Sequence, residues 1–325
     1  MLLAITAVLG LLFGSSGVDL ALIRQAFQEP QSTAATIVFQ IRLPAVLLSF
    51  LAGALLATSG AAMQGLVRNP LADPYILGVS GGAALGAATA LLLAPASWLG
   101  WLTPVLACAG AFGTTLLVST LAAAARERAQ SPVSHTLLLA GVMVNTIAGA
   151  LLLLAASLAD PIRARTVQVW MMGAIDATRL GTSGWLVLLA IGLPAALWLL
   201  AHSHNFNLLA LGDTEAESLG LNTRKVQRQT LAAITLCTGL TVAATGLIGF
   251  VGLVVPHLLR TAVHADNRVV LVLSPLYGAA FLSLSDVLAR SLYAVAGSSI
   301  PVGVVTALIG APLFLYLLVR RGGNP

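Results

Sequence analysis

Charged residues are missing from six long stretches of this chain, and that absence limits what it can fold into. No Asp, Glu, Lys or Arg occurs between Asp73 and Arg126, Arg128 and Asp160, Arg179 and Asp213, or Arg228 and Arg260; shorter gaps run from Arg42 to Arg68 and from Arg290 to Arg320. A helix crossing the bilayer core needs about 20 apolar residues, so some gaps hold one span and the longest holds two. A soluble fold needs a polar skin and carries about 25% charged residues. Here 8% of 325 residues are charged and 58% are hydrophobic. Backbone in lipid must satisfy its own hydrogen bonds, which leaves helices or a closed barrel. The runs are far longer than barrel strands and lack alternation. The expected fold is all-α: a polytopic transmembrane bundle, one domain over 1–325.

Spans are expected at 1–14, 43–67, 75–94, 99–124, 133–157, 183–201, 229–247, 249–264, 269–295 and 301–319, about ten in all. The first lacks the basic n-region of a signal peptide, since the first positive residue is Arg24; it is read as a retained span. An amphipathic stretch, Val18 to Phe27, follows it. Pro256 is expected to kink or break the short eighth span. An even count puts both termini on one side. With that side cytoplasmic, the inner loops hold Arg68, Arg126, Arg128, Arg224, Lys225, Arg228, Arg268, Arg320 and Arg321, and the outer ones Arg24, Arg42, Arg163, Arg165, Arg179 and Arg290. Nine against six favours that orientation and explains the net charge of +5 without nucleic acid.

Small residues mark helix contacts. Gly78, Gly82, Gly86 and Ala90 recur every four residues, the small-xxx-small spacing that lets two backbones approach. Gly53 and Gly60 are spaced like Gly239 and Gly246, a hint of two five-span halves such as transporters carry. Cys108 and Cys237 lie in apolar runs and read as packing residues. His202, His204 and His257 are scattered, and no carboxylate pair, nucleophile–base set or Cys/His cluster has usable spacing. The chain is expected to be no enzyme and to bind no metal or cofactor of its own.

The longest cytoplasmic loop, about 205–224, carries Leu211-Gly-Asp-Thr-Glu-Ala-Glu-Ser-Leu-Gly220. Thr214 and Glu217 fit a capping box, Glu215 and Glu217 suit a first turn, and Gly220 sits where a left-handed cap belongs. Asn222 is placed to start the next helix. A short helix deliberately ended between two spans reads as a docking element for a cytoplasmic partner. The only lysine is Lys225, and no G-x-x-x-x-G-K-[ST] phosphate loop exists, so an ATPase would be a separate subunit. The rival reading is a secondary transporter or channel coupled through Asp286 and Asn145, since intramembrane polar groups often carry ions. Arg290, four residues from Asp286, makes an ion pair the simpler role for that acid.

Motifs along the chain resemble a known family. Gln40-Ile-Arg-Leu-Pro44, Met63-Gln-Gly-Leu-Val-Arg-Asn-Pro-Leu-Ala-Asp-Pro74, Leu77-Gly-Val-Ser80, Leu137-Leu-Leu-Ala-Gly141 and Trp170-Met-Met-Gly173 occur in order. They continue with Gly249-Phe-Val-Gly-Leu-Val-Val-Pro-His257, Asp286-Val-Leu-Ala-Arg290, Ile300-Pro-Val-Gly303 and Gly310-Ala-Pro312. The set resembles the FecCD/BtuC-type permeases of binding-protein-dependent importers.

The resemblance implies ten helices per subunit and a homodimer, or a close heterodimer, around a central path. It also implies two ATPase subunits on the cytoplasmic side, which bind the ATP, and a substrate-binding protein outside, at the bacterial inner membrane. Ferric siderophore or haem is the first substrate expectation, cobalamin the next. Carried onto this sequence, the cytoplasmic gate falls on Asn69, Leu71, Ser134 and His135, where a small hydroxyl residue can replace the histidine. The ATPase-coupling loop covers Leu211, Gly212, Thr214, Ala216, Glu217, Leu219 and Gly220. Binding-protein docking falls on Arg42 and Arg290, with Ala45 where a second arginine often stands. Asn145, Met171 and Met172 would line the path.

Overall fold

The computed structural model describes residues 1–14, 17–18, 20–129, 133–263, 266–293, 297–298 and 300–321. Among the described residues each charge-free stretch is mainly helical, as a backbone must be where hydrocarbon offers no hydrogen bonds. The first expected span is α1 (Leu2–Leu12), followed by a two-residue hairpin of β1 (Phe13–Gly14) and β2 (Gly17–Val18) and by the amphipathic α2 (Leu20–Gln28). Then α3 (Thr33–Ala35) runs through a π turn into α4 (Leu43–Val67); a 3₁₀ turn (Pro74–Leu77) leads into α5 (Val79–Leu93), and α6 (Leu99–Ala129) and α7 (Val133–Leu158) follow. The middle of the chain holds α8 (Pro161–Met171), α9 (Gly181–Val187) joined by a π turn to α10 (Leu193–Ala201), and two short helices, α11 (Ser203–Ala210) and α12 (Asp213–Ser218). The last four are α13 (Thr223–Thr245), α14 (Val251–Ala262), α15 (Asn267–Ser291) and α16 (Val302–Arg321).

All ten expected spans are therefore helices. Among the described residues five stretches are long and apolar enough to cross a membrane: Thr33–Val67, Ala96–Ala124, Thr136–Leu158, Gly181–Ala201 and Asn267–Ser291. Leu2–Leu12, Val79–Leu93, Val251–Ala262 and Val302–Tyr316 are shorter apolar helices.

The core lies along α4, which is apolar on every side and therefore central. Leu48, Leu55 and Met63 are fully buried there, against α13, α14 and α15. Glycine sets the crossings. A Cβ on Gly53 would overlap the Gly278 carbonyl of α15, and one on Gly60 would overlap the Gly252 carbonyl of α14. Pro256 has no N–H to give that Gly252 carbonyl, and α14 stays helical through it. The break expected at Pro256 lies upstream instead, over 246–250, where Gly246 and Phe250 both have positive φ. The glycine row on α5 behaves as expected, with Gly82 against Gly110 and Gly86 against Leu106 of α6. A Cβ on Gly239 would meet only the Ala111 methyl, whereas one on Gly246, which caps α13, would overlap the Trp170 carbonyl, so the close approach seen at Gly53 and Gly60 recurs at one of the two positions.

Side-chain contacts define two ends. At one, Arg42 and Arg290 reach carbonyls near the close of α1. At the other, the close of α4 meets α12 through Arg68 and Asp213. α1 finishes at the Arg42 end, so its start points toward the Arg68 end. α16 descends from Met172 past His257, which packs on Phe314 at 5.5 Å, toward the same end.

Candidate functional site

At the Arg68 end, α11 anchors a surface loop by burying Phe206 and Leu209 completely. Asn207 fixes the other side, donating to Asp266 at 2.6 Å and accepting from the Asn267 amide at 3.0 Å. The chain then turns at Gly212, whose φ of 129° suits glycine alone, and enters α12. Ala216 faces inward and is fully buried, whereas Leu211 and Leu219 are about 60% exposed.

The caps differ from expectation at one end and agree at the other. No capping box forms: Gly212 is the N-cap, Thr214 lies inside the helix, and Glu217 accepts from the Thr223 hydroxyl. The helix starts two residues early because Gly212 makes the turn, and Glu217 ties α12 to the root of α13. At the far end Gly220 has φ 89° and Leu221 N–H bonds the Ala216 carbonyl at 3.0 Å, the left-handed close read from sequence. Asn222 caps α13, accepting from the Lys225 amide at 3.0 Å.

The expected gate turn sits beside this loop. Asn69 Oδ1 accepts from the Leu71 amide at 2.9 Å, an Asx turn that leaves Leu71 41% exposed. The residue before it, Arg68, has φ 55° and pairs with Asp213, the first residue of α12. α12 and the Asn69 turn are thus joined by an ion pair, which no sequence spacing announces across 145 positions. Ser134 and His135 fall in the first turn of α7; their side chains lie outside the described residues.

Deeper in the bundle the 246–250 break is held by Tyr75, whose hydroxyl donates to the Ile248 carbonyl at 2.8 Å and accepts from its amide at 3.1 Å. Sequence reasoning did not single out Tyr75; a phenol at the start of an apolar run was the available signal. Asn145 has both ends of its amide engaged: Nδ2 donates to the Tyr75 carbonyl at 2.8 Å and Oδ1 accepts from the Gly81 amide at 3.1 Å. It joins α7 to α5 rather than presenting a free group. Met171 and Met172 line a shallow pocket of about 370 Å³ with Leu247, Gly303, Val304 and Leu308. A second polar knot missed from sequence joins α14 to α4, where Arg260 reaches Asn267 at 2.7 Å and Gln64 at 3.3 Å.

At the opposite end Arg42 is 6% exposed, donating to the Leu11 and Leu12 carbonyls at 2.6 and 3.2 Å. Its guanidinium is thus packed against the close of α1 rather than extended from the end of the bundle. Arg290 pairs with Asp286 at 2.7 Å and keeps 24% of its side chain exposed, against 6% for the acid. The i,i+4 pair read from sequence is the one observed.

A bundle of apolar helices with a broken central segment, a short exposed helix at one end and an Asx turn beside it fits a polytopic membrane-transport protein. A model of the FecCD transport family matches residues 2–320, and the chain belongs to that family. It is 42% identical over 285 residues to the vitamin B12 import system permease protein BtuC of Escherichia coli O139:H28, covering 88% of this chain and 84% of that one. The identity is the same for the BtuC of Escherichia coli strain K12 / DH10B. Among solved structures, an inward-facing conformation of a protein assigned as a metal-chelate type ABC transporter superposes with a TM-score of 0.82 at 31% identity, over 98% of this chain and 96% of that one.

Proposed function

We propose that this chain is the membrane-spanning permease subunit of an ATP-driven importer of metal chelates, with cobalamin as its first substrate. The observation that carries the reading is the 42% identity to a vitamin B12 permease over 88% of the chain. It moves cobalamin ahead of ferric siderophore and haem. The chain works as a homodimer in the bacterial inner membrane with both termini cytoplasmic. Two separate ATPase subunits dock on α12 and bind the ATP, and a substrate-binding protein docks at the Arg290 end.

The geometry supports the coupling and pathway parts of this reading. Leu211 and Leu219 give an ATPase an apolar footing, and the Arg68–Asp213 pair carries its movement to Asn69 and Leu71. The wall of Met171, Met172, Val304 and Leu308 is apolar and shallow, as suits a bulky cargo that must leave again. Gates of this kind leave selectivity to the soluble partner, whose docking charges chiefly set encounter and register. A secondary transporter coupled through Asp286 and Asn145 finds no support, because Asp286 is neutralised by Arg290 and Asn145 is spent on backbone.

The test is uptake into proteoliposomes holding the chain with its ATPase and binding protein. Labelled cobalamin, haem and ferric siderophores are offered with and without internal ATP. ATP-dependent accumulation of cobalamin is expected; uptake that ignores ATP or follows a proton gradient would overturn the reading.

A further inference from the structure

α6 and α13 touch where Gly239 meets Ala111, and toward the Arg68 end a cavity of about 910 Å³ opens between them. That volume is near the top of the roughly 300–1,000 Å³ range of ligand sites. Its walls are apolar: Phe112 and Leu116 on α6, Leu231 and Ala232 on α13, and Leu66 and Val67 from α4. Its mouth is basic. Arg224, Lys225 and Arg228 line it together with Arg68 and Asp213, which satisfy each other.

The three cations are exposed and have no ion pair or side-chain hydrogen bond among the described residues. They occupy the first two turns of α13, the positive end of the helix dipole, where cations are disfavoured. The cluster therefore carries a surplus of positive potential over an apolar slot. Along α6 the lining runs from Phe112 to Ala123, about 16 Å at 1.5 Å per residue. That is about half of a hydrocarbon core roughly 30 Å thick, the depth of one leaflet.

We propose that this slot holds an anionic phospholipid, its acyl chain against Phe112, Leu116 and Leu231 and its phosphate against Arg224, Lys225 and Arg228. A soluble anion would leave the slot unused, and a zwitterionic lipid would leave the surplus charge unanswered. The bound headgroup sits beside the Asn222 cap, so it braces the joint between α12 and α13.

The experiment uses the full chain assembled with its ATPase in nanodiscs of equal phosphatidylglycerol and phosphatidylethanolamine, followed by native mass spectrometry of retained lipid. Each Lys or Arg near a membrane surface favours anionic lipid by about fivefold. The wild type is expected to retain phosphatidylglycerol over phosphatidylethanolamine by on the order of tenfold or more. The triple variant Arg224→Gln, Lys225→Gln, Arg228→Gln should lose that preference, while Arg224→Lys with Arg228→Lys keeps it. Ala232→Trp, which fills the slot and spares the charges, should release the lipid; elution with the ATPase confirms that each variant is folded. No preference in the wild type would sink the proposal. An unchanged preference in the triple variant, or loss of the ATPase at an unchanged lipid ratio, would assign the cations elsewhere and sink it equally.

Discussion

Arg68 holds a left-handed backbone at φ 55°, a conformation that costs a non-glycine residue roughly 1–2 kcal/mol. Its side chain offsets this through Asp213, but both partners are about a third exposed, and exposed pairs contribute only about 0.2–1 kcal/mol. The pair is weak as a stabiliser and informative as a link. Arg68→Asp or Asp213→Arg alone should cut substrate moved per ATP hydrolysed several-fold, with melting temperature within about 2 °C of wild type. The double exchange should recover at least half of the loss; a double variant no better than either single one would show that the link transmits nothing. Glycine positions divide just as sharply. Gly60→Ala drives a methyl into the Gly252 carbonyl and must part α4 from α14, whereas Gly113→Ala on α6 meets open space. The first should destabilise by about 2 kcal/mol or more in a thermal-shift assay, and the second should melt at or above the wild type, since alanine outranks glycine in a helix by about 1 kcal/mol. Equal melting points would refute the assigned crossing.

Among the elements, α12 is six residues long and cannot hold its shape by its own propensity; its two glycine ends and the Glu217–Thr223 bond do so. Gly220 has nothing within 4 Å of where a Cβ would stand, so only its φ resists substitution. Gly220→Val should uncouple ATP hydrolysis from uptake, and Gly220→Asn, which tolerates the left-handed region, should retain most coupling. Both are read as the ratio of transport to ATPase rate, and a valine variant with the wild-type ratio would remove the cap from the docking element. Much of this loop was legible in the sequence, because a polar segment between apolar runs, a terminal Gly220 and the Asn222 cap are local signals. Its start was not. Gly212 and the reach of Glu217 to Thr223 depend on how α12 folds back on α13. The ten spans and the α5–α6 glycine row were legible for the same local reason. The burial of Arg42 was not, since it needs α1 to return across 30 residues and offer its last carbonyls. The 246–250 break was not legible either, since it is held by Tyr75 from a distant part of the chain, which no window around Pro256 contains.

For the whole molecule the decisive question is where a chelate passes. α16 packs on α14 and α15 and leaves Val304 and Leu308 uncovered, Leu308 by 70%. These residues are four apart and so share one helix face. With Met171 and Met172 they form a wall open on one side, and a second copy of the chain set opposite would close it into a path. Exposure alone does not mark a path, because lipid also faces exposed leucines. Leu197 on α10 is 53% exposed on a helix that packs against α13 and α4, and serves as the contrast. Leu308→Trp should lower ATP-dependent cobalamin uptake at least tenfold while ATPase stimulation by the binding protein persists, since the added ring narrows the path without touching α12. Leu197→Trp should leave uptake within about twofold of wild type. Matching losses at both positions would mean that bulk merely disturbs packing. Normal uptake in the Leu308 variant would move the path away from α16 and onto another face of the bundle.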